Sequence, residues 1–284
     1  MSNAEVSNFE NRKSDVECGW SMKQRIQLTQ TFEQIRQNLH FVLVEPESPG
    51  NVGAASRALR TSGFEKLILV NPCPLDNDEA RMMAHRSYDI IEKAQIFDSF
   101  DKSVAGMRLV VATTMRKRHF KFPFFTPQEI SQKLLDVAFE HPVAVVFGRE
   151  KNGLTNEEIL KCHLHSTIPT ATQNPALNLA QAVMIYAHTF FMNMNKVESG
   201  YSYRLATQYE LEKFYEHLQS ALDLVHFVPR DGIDNFITRF RRLIGRSMAE
   251  KRDVRLLHKL LQIFETRIQR LEELVTERDK KDIY

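Results

Sequence analysis

One short stretch of the sequence, residues 48–57, combines a glycine-containing loop with a single cation. Asn51 is a residue type that caps helix N-termini, Gly53 and the alanines after it leave the first turn open, and Arg57 stands one turn further on. An open helix start beside an arginine predicts a site for an anion or a sugar phosphate. The same residues also fit a helix that packs tightly on a sheet, with Arg57 in a surface ion pair, and the loop alone favours neither interpretation.

The glycines of this stretch do not match the common phosphate-binding loops. A dinucleotide fold requires G-x-G-x-x-G after its first strand and an acidic residue about 20 positions later. Here Gly50 and Gly53 are spaced G-x-x-G, and Asn71 and Pro72 stand at the end of the second apolar run. No Gly-Lys-Ser/Thr follows, which excludes a Walker loop. The loop is therefore expected to serve another purpose.

Two later loops also place polar residues after apolar runs. The run 143–147 ends at Gly148, with Glu150 in a charged loop behind it, and a weaker run near 165–168 leads through Pro and Asn residues to Asn178. Parallel sheets bind ligands at the carboxyl ends of their strands, so backbone could approach a bound molecule at Gly148 and Asn178 could hydrogen-bond to it. A turn glycine among solvated charges, and an asparagine that only caps its helix, remain open alternatives.

Between residues 39 and 197, short apolar runs alternate with helical patterns. This alternation is typical of a mostly parallel α/β sheet with helices on both faces, which would position the three loops. The predicted strands lie at 41–44, 67–70, 108–112, 143–147 and 165–168. The predicted helices span residues 51–62, 79–93, 127–138, 155–161 and 177–195.

The segments on either side of this domain differ from it in composition. Residues 1–38 are polar and are expected to be partly disordered or helical, with a short helix at about 22–37. Residues 198–284 are predicted to form a small all-α extension, with helices at 207–227, 233–246 and 250–278. The last helix carries a heptad seam from Val254 to Val275, for which packing within its own bundle and pairing with a second chain are both open.

Composition restricts the classes of function without selecting one. A chain of 284 residues with 43% apolar residues and a net charge of +2 is typical of soluble globular proteins. Cys18, Cys73 and Cys162 lack the spacing of a disulfide framework or a zinc site, and the ten histidines form no metal-binding pattern. A reduced, cytoplasmic compartment and no metal are therefore expected. Since no apolar run approaches about 18 residues, no membrane partner is expected either.

Two basic clusters interrupt this nearly neutral charge. The first follows the third predicted strand and contains Arg116, Lys117 and Arg118. The second lies in the helical extension and includes Arg239, Arg242 and Arg246. Clusters of this kind are typical of contact with nucleic-acid phosphates, although solvated helix faces would give the same pattern.

Taken together, the three loops resemble the SPOUT superfamily of RNA methyltransferases, in particular its TrmH-like 2′-O-ribose branch. The first matching motif is N-V-G-A-A-x-R at 51–57, and the second is V-F-G-R-E-x-x-G-L at 146–154. The third consists of I-P at 168–169 with N-P-x-L-N-L-A-x-A-V at 174–183. Their order and spacing fit across roughly residues 39–195. Three ordered motifs are far more specific than any one of them.

The resemblance implies a fold and a cofactor. The C-terminal segment of the sheet would be threaded into a deep trefoil knot, a rare exception to the rule that chains are unknotted, and the protein would be an obligate homodimer. The cofactor would be S-adenosyl-L-methionine, held by the three loops. By resemblance, its contacts fall on Thr113, Thr114, Met115, Gly148, Ile168, Pro175, Ala176 and Leu177.

The resemblance also assigns chemical roles. Arg57 would stabilise the alkoxide charge that develops when a ribose 2′-hydroxyl attacks a methyl group, because a guanidinium stays charged. Its own pKa exceeds about 12, which disfavours a role as general base. Glu150 and Asn178 would orient their partners, and Asn51 would hold the loop.

Within the branch, the first strand and the helical extension look most like the enzymes of the tRNA anticodon loop. The expected substrate is therefore tRNA, with cytidine or uridine 32 as the target. Three competing interpretations remain: the same chemistry on ribosomal RNA, a non-catalytic RNA-binding member of the superfamily, and a conventional Rossmann methyltransferase.

Overall fold

The described part of the chain is built around one sheet of seven parallel strands. The computed structural model describes residues 32–115, 122–171, 177–194 and 204–281. The strands are β1 (Leu39–Val44), β2 (Leu67–Val70), β3 (Gln95–Phe97), β4 (Leu109–Thr113), β5 (Phe124–Phe125), β6 (Val143–Phe147) and β7 (Leu164–Ser166). They lie in the order β3-β2-β1-β6-β4-β7-β5, and every adjacent pair is parallel.

The strands in the middle of the sheet form because their residues are apolar on both faces. β1, β6 and β4 lie side by side and are almost wholly buried, as expected for a parallel sheet that helices cover. Alternating residues divide between two cores: Phe41 and Leu43 belong to one, whereas Val42 and Val44 belong to the other. The predicted α/β sheet with helices on both faces is therefore confirmed.

The two edge strands have no counterpart among the predicted ones. β3 and β5 are three and two residues long and lie at opposite edges of the sheet. Strands this short contain too few residues to show a period of two. They form because the neighbouring strands β2 and β7 supply hydrogen-bond partners.

Helices occupy most of the connections and the whole C-terminal part. Their bounds are α1 (Pro49–Thr61), α2 (Asp78–Ala84), α3 (Tyr88–Glu92), α4 (Phe100–Val104), α5 (Pro127–Ala138), α6 (Asn156–Leu160), α7 (Leu179–Asn193), α8 (Gln208–Leu224), α9 (Ile233–Ser247) and α10 (Lys251–Lys281). The single helix predicted over 79–93 is wrong, because a 3₁₀ turn at His85–Ser87 separates α2 from α3. His85 has a φ of +55°, in the left-handed region that interrupts a helix.

The helices after residue 204 pack into a third core of their own, and this packing divides the heptad seam of α10. Val254 is buried, and Leu257 and Leu261 pack against the same core. Further along, Phe264 is 61% exposed and Leu271 is 47% exposed. The first half of the seam therefore packs within its own bundle, whereas the second half is exposed on the chain.

Some predictions fall outside the described residues. The polar N-terminal segment lies outside them except for its last residues, where 32–38 are helical. Residues 172–176 and 195–203, which flank α7, also lie outside. The threading of this segment into a trefoil knot therefore stays a prediction.

Gly53 permits the close crossing of α1 and α2. A Cβ at this position would lie 2.4 Å from the carbonyl oxygen of Ala80 and 3.0 Å from the amide nitrogen of Ala84. Both are backbone atoms and cannot rotate away. Glycine is therefore required here by the close packing of α1 on α2. Tight packing of small residues was one of the two interpretations of the 48–57 stretch, but the partner is a helix and not the sheet.

Replacing Gly53 with alanine should destabilise the fold. We expect Gly53→Ala to lower the free energy of unfolding by about 2 kcal/mol, the cost of overpacking. Gly106→Ala is the control, because a Cβ there meets no atom within 4 Å, and it should change the value by less than about 0.5 kcal/mol. Urea unfolding followed by circular dichroism measures both. Equal stability of the two variants would contradict the steric argument.

Candidate active site

The carboxyl ends of four adjacent strands bring the predicted loops to one edge of the sheet. β1, β6, β4 and β7 are neighbours in the strand order, and the three loops follow β1, β6 and β7. The hydroxyl of Thr113, at the end of β4, donates to the carbonyl of Val146 at 2.8 Å, and the amide of Thr114 donates to the carbonyl of Ser166 at 3.0 Å. Because the strands are parallel, the segments that follow them all leave from the same edge, where α/β sheets bind ligands.

A chain of side-chain hydrogen bonds joins the three loops. The Glu150 carboxylate accepts from the amides of Glu47 at 2.8 Å and Ser48 at 3.2 Å, and from Nδ2 of Asn51 at 2.9 Å. Oδ1 of Asn51 accepts in turn from Nδ2 of Asn178 at 2.7 Å. The structure thus brings together three side chains that the sequence places in separate motifs.

The carboxylate of Glu150 is held in its ionised form. Burial raises the pKa of Glu150, but hydrogen bonds from the Asn51 side chain and from backbone amides outweigh burial and leave the pKa below its ordinary value. An ionised carboxylate only accepts hydrogen bonds, so it suits a ring of donors. Glu150 therefore organises the loop as an acceptor and carries no proton to donate near neutral pH.

The two asparagines of the network differ in their local roles. α1 begins at Pro49, and Ser48 caps it by accepting from the Asn51 amide at 3.3 Å. The prediction of Asn51 as the cap is therefore wrong, because a proline in the first turn moves the helix start upstream. The Asn51 side chain is left for the network. Asn178 does cap α7, by accepting from the Ala180 amide at 2.8 Å, and donates to Asn51 as well.

Arg149 holds the loop that carries Glu150, a role that the sequence alone did not predict. Its Nε donates to Glu45 at 2.8 Å, and its two Nη atoms donate to the Glu158 carboxylate, both at 3.1 Å. These bonds raise the pKa of Arg149, and the bond from Arg149 lowers the pKa of Glu45. Glu45 has a φ of +46°, an unfavourable value for a residue with a side chain. The capping-box pattern T-x-x-E at 155–158 was the one sequence signal near this cluster.

Gly148 is required by the fold of its own loop. A Cβ there would lie 2.2 Å from the carbonyl carbon of Gly153 and from the amide nitrogen of Leu154. The amide of Gly153 donates to the carbonyl of Arg149 at 2.8 Å and closes this turn. The close approach of the chain itself therefore accounts for the glycine, and the approach of a bound molecule to the backbone of Gly148 stays a prediction. Any side chain at this position would displace the loop whether or not a ligand is bound.

Arg57 extends from the exposed side of α1. Its guanidinium makes no hydrogen bond or ion pair with any residue that the structure describes, although its carbonyl accepts from Thr61. Arg60, in contrast, pairs with Glu65 and Asp89. The surface ion pair that the sequence allowed for Arg57 is therefore not present within the described ranges, and its charge is available to a ligand.

The remaining predicted cofactor and RNA residues are only partly described. Five lie outside the described ranges: Arg116, Lys117, Arg118, Pro175 and Ala176. Met115, Ile168 and Leu177 are described and half-buried. The arginines of α9 are described too, and they differ: Arg239 is paired with Asp231 at 2.9 Å, whereas Nε of Arg246 donates to the carbonyl of Arg242 at 3.1 Å.

The sequence predicts neither a metal requirement nor a membrane partner. Within the described ranges, no group of three or more His, Cys, Asp and Glu side chains could hold a metal ion. Of the helices described, none is long and apolar enough to cross a membrane. That the protein requires no metal and has no membrane partner stays a prediction.

Comparison with family models defines the class of protein. The model described as the SpoU rRNA Methylase family matches residues 38–188, and the model described as the C-terminal domain of the tRNA methyltransferase TrmJ matches residues 209–273. The chain therefore belongs to the SpoU methylase family, and its predicted membership of the SPOUT superfamily is confirmed.

The particular protein that the chain resembles is TrmJ. The enzyme named tRNA (cytidine/uridine-2′-O-)-methyltransferase TrmJ from Pectobacterium atrosepticum is 35% identical over 229 residues, which cover 79% of this chain and 95% of that protein. The enzyme of the same name from Escherichia coli K12 is 37% identical over 233 residues, covering 79% and 94%. The crystal structure of TrmJ from Z. mobilis ZM4 superposes with a TM-score of 0.69 at 29% identity, covering 80% of this chain and 98% of that one.

Neutralising Glu150 should weaken the network in a pH-dependent way. We expect Glu150→Gln to lower the free energy of unfolding by about 1 kcal/mol at pH 7. This contribution is small for hydrogen bonds to a charged group, because the site is half-exposed and water screens the charge. A lowered pKa contributes stability above the ordinary glutamate pKa of about 4.3, and this stability is lost as the pH falls through the lowered value. The difference from wild type should therefore shrink in acid.

Urea unfolding between pH 7 and about pH 3 measures this difference. Glu157→Gln is the matched control, because Glu157 is exposed on the neighbouring helix α6. A destabilisation by Glu150→Gln that stays constant across this range, or that equals the control, would contradict the role of the carboxylate.

Proposed function

We propose that the chain transfers a methyl group from S-adenosyl-L-methionine to the ribose 2′-oxygen of cytidine or uridine in tRNA, at position 32. The observation that carries the proposal is the hydrogen-bonded junction of Asn51, Glu150 and Asn178, together with the exposed Arg57 on the same helix α1 as Asn51. The names of the TrmJ relatives support both the substrate class and the 2′-O chemistry. Position 32 rests on the sequence resemblance alone.

The described residues fit a cofactor of this kind. The half-buried side chains of Met115, Ile168 and Leu177 offer apolar surface beside the strand ends, as an adenine ring requires. The residues that would hold the cofactor are therefore Thr113, Thr114, Met115, Gly148, Ile168 and Leu177, together with Pro175 and Ala176 from outside the described ranges. When bound, S-adenosyl-L-methionine supplies a methyl group on a positively charged sulfur.

Arg57 stabilises charge on the attacking oxygen. A ribose hydroxyl is a weak nucleophile near neutral pH. Its oxygen becomes negative as the hydroxyl proton leaves, and the new bond to the methyl carbon, formed as the bond from that carbon to sulfur breaks, removes the charge. A permanently charged donor placed beside this oxygen lowers the barrier. The hydroxyl proton passes to water or to a neighbouring phosphate, because a guanidinium does not accept it. The hydrogen bonds among Asn51, Glu150 and Asn178 hold the loops, and with them Arg57, in a fixed position relative to the strand ends.

The proposal extends to the assembly of the protein, its domains and its contacts with RNA. We propose a cytoplasmic homodimer whose chain divides into an N-terminal extension at 1–38, a knotted methyltransferase domain at 39–197 and a helical domain at 198–284. Contacts to RNA come from Arg116, Lys117, Arg118, Arg239, Arg242 and Arg246. The exposed second half of the α10 seam supports a contact between chains, since it leaves Phe264 and Leu271 uncovered on one chain.

Removing Arg57 should separate catalysis from cofactor binding. We expect Arg57→Ala to lower kcat by about 10²- to 10³-fold, the usual effect of removing one charge-stabilising donor, and to leave cofactor affinity nearly unchanged. Single-turnover methyl transfer and cofactor titration measure the two effects. Arg81→Ala is the control, because Arg81 is an exposed arginine of α2 that pairs with Asp76. Near-normal turnover by Arg57→Ala would refute the role.

The substrate can be tested in cells that lack the gene. We expect loss of ribose methylation at position 32 of tRNA, with ribosomal RNA unchanged, when both are mapped by mass spectrometry. Loss confined to ribosomal RNA would favour the competing substrate that the name of the SpoU family suggests. An unchanged pattern in both RNAs would favour a non-catalytic member.

A further inference from the structure

The hydroxyl of a fully buried tyrosine lies at the carboxyl end of β7. Tyr186 of α7 and Ser166, the last residue of β7, are both 0% exposed. The Tyr186 hydroxyl donates to Oγ of Ser166 at 2.7 Å, and Oγ of Ser166 donates to the carbonyl of Phe125 in β5 at 2.9 Å. Burial raises the pKa of Tyr186, so its hydroxyl keeps the proton that it donates. A chain of two hydrogen bonds therefore joins α7, β7 and β5.

Ser166 extends this attachment to β4. Its carbonyl accepts from the amide of Thr114 at 3.0 Å, and it lies opposite Thr113 in the pairing of β4 with β7. Thr113 and Thr114 are predicted cofactor residues, and Ile168, which is another, follows Ser166 by two positions. The hydrogen bond from Tyr186 thus ends where two of the segments predicted to hold the cofactor leave the sheet.

The ring of Tyr186 also contacts the end of β6. It meets the ring of Phe147 edge-on, with the centroids 5.5 Å apart and the planes at 79°. Phe147 is the last residue of β6 and directly precedes Gly148. At the start of α7, Asn178 donates to Asn51, and Tyr186 lies eight residues further along the same helix. The helix is therefore held against the strand ends at two points roughly 12 Å apart along its axis.

Stability alone does not explain a pair of hydroxyls at this place. The surrounding core is apolar, with Val183 and Phe190 of α7 among its members. A phenylalanine and an alanine would fill nearly the same space as Tyr186 and Ser166 without burying polar atoms, which costs free energy unless they are hydrogen-bonded. A hydrogen bond has a preferred distance and direction, whereas apolar burial is non-directional. The pair therefore gives the strand ends a defined position.

We infer that Tyr186 is a positioning residue for cofactor binding. Its hydrogen bond to Ser166 fixes the carboxyl ends of β4 and β7, and with them the segments that would hold S-adenosyl-L-methionine. The inference rests on the proposed function, because only there do these segments contact a cofactor. Since Tyr186 is fully buried and acts through Ser166, it should change the affinity for the cofactor and leave the methyl-transfer step unchanged.

The first test removes the hydroxyl and keeps the ring. We expect full-length Tyr186→Phe to bind S-adenosyl-L-methionine about threefold to tenfold more weakly, the effect of losing one hydrogen bond. Its kcat at saturating cofactor should stay within about twofold of wild type. Tyr215→Phe is the matched control, because Tyr215 is a buried tyrosine in the separate core of the C-terminal helices. Calorimetric titration measures the affinities, and equal affinity of wild type and Tyr186→Phe would overturn the inference.

The attachment of β4 can be measured without a cofactor. We expect the amide of Thr114 to exchange with solvent faster in Tyr186→Phe than in wild type, because the Ser166 carbonyl that accepts from it is held less firmly. Val145 in the middle of β6 reports any loss of overall stability, so the increase at Thr114 should be the larger of the two. Hydrogen exchange followed by NMR measures both amides. An equal change at the two positions, or none at Thr114, would overturn the inference.

A double variant separates positioning from stability. Ser166→Ala leaves the Tyr186 hydroxyl buried without this acceptor, whereas the Phe125 carbonyl keeps the amide of Thr167 as a donor at 2.9 Å. Adding Tyr186→Phe removes the hydroxyl and should restore most of the lost stability in urea unfolding. The cofactor affinity should stay low, because the strand ends are still not joined to α7. Recovery of the affinity together with the stability would overturn the inference.

A methylation assay on the wild-type protein separates this inference from the proposed function. If Tyr186→Phe weakens cofactor binding but the wild type methylates no ribose in tRNA, the positioning role stands and the proposed function fails. If the wild type methylates tRNA while Tyr186→Phe binds the cofactor as tightly as wild type, the proposed function stands and the positioning role is overturned.

Discussion

The carboxylate of Glu150, surrounded by donors from another segment of the chain, is the interaction on which the candidate active site depends. Parallel strands deliver several loops to one edge, but nothing in the sheet itself makes those loops meet. Ordering each loop residue costs about 1–2 kcal/mol of conformational entropy. Charge-assisted hydrogen bonds from two amides and from Asn51 offset part of this cost, and Asn51 passes the constraint on to Asn178.

The loop that carries Glu150 is also fixed from behind, which makes the position of its carboxylate a property of the fold. Arg149 ties the loop to Glu45 on the strand side and to Glu158 on the helix side. The turn closes so tightly on Gly148 that only glycine fits. Because rate enhancement by orientation is lost when reacting groups move by about 1 Å, such double anchoring is what a methyl-transfer site requires.

The sequence predicted where the first two loops start, because the buried runs that end at Val44 and Phe147 are apolar enough to be recognised as strands. The weaker run was predicted at 165–168, whereas β7 ends at Ser166. The sequence did not predict which side chains meet. Ser48 and Asn51 are both capping types, and no local pattern decides between them. Gly148 must be a glycine because backbone atoms five residues further on approach it closely, and Arg149 is held by a glutamate 104 positions away. That Glu150 lies at the centre of this network is visible only in the three-dimensional contacts. The chemical roles of Asn51, Glu150 and Asn178 were inferred from the family resemblance.

The sheet separates chemistry from anchoring in the proposed enzyme. Methyl transfer belongs to the carboxyl edge, whereas the C-terminal helices attach near the amino edge, where Arg108 donates to the carbonyl of Leu205 at 2.6 Å and Gln208 donates to the carbonyl of Lys161 at 2.7 Å. Binding energy gained from RNA at that edge can hold a ribose in place at the other edge, because both lie on one rigid strand layer. Substitutions in the helices can then alter which RNA is bound while leaving the hydrogen bonds around Glu150, and with them the chemistry, unchanged.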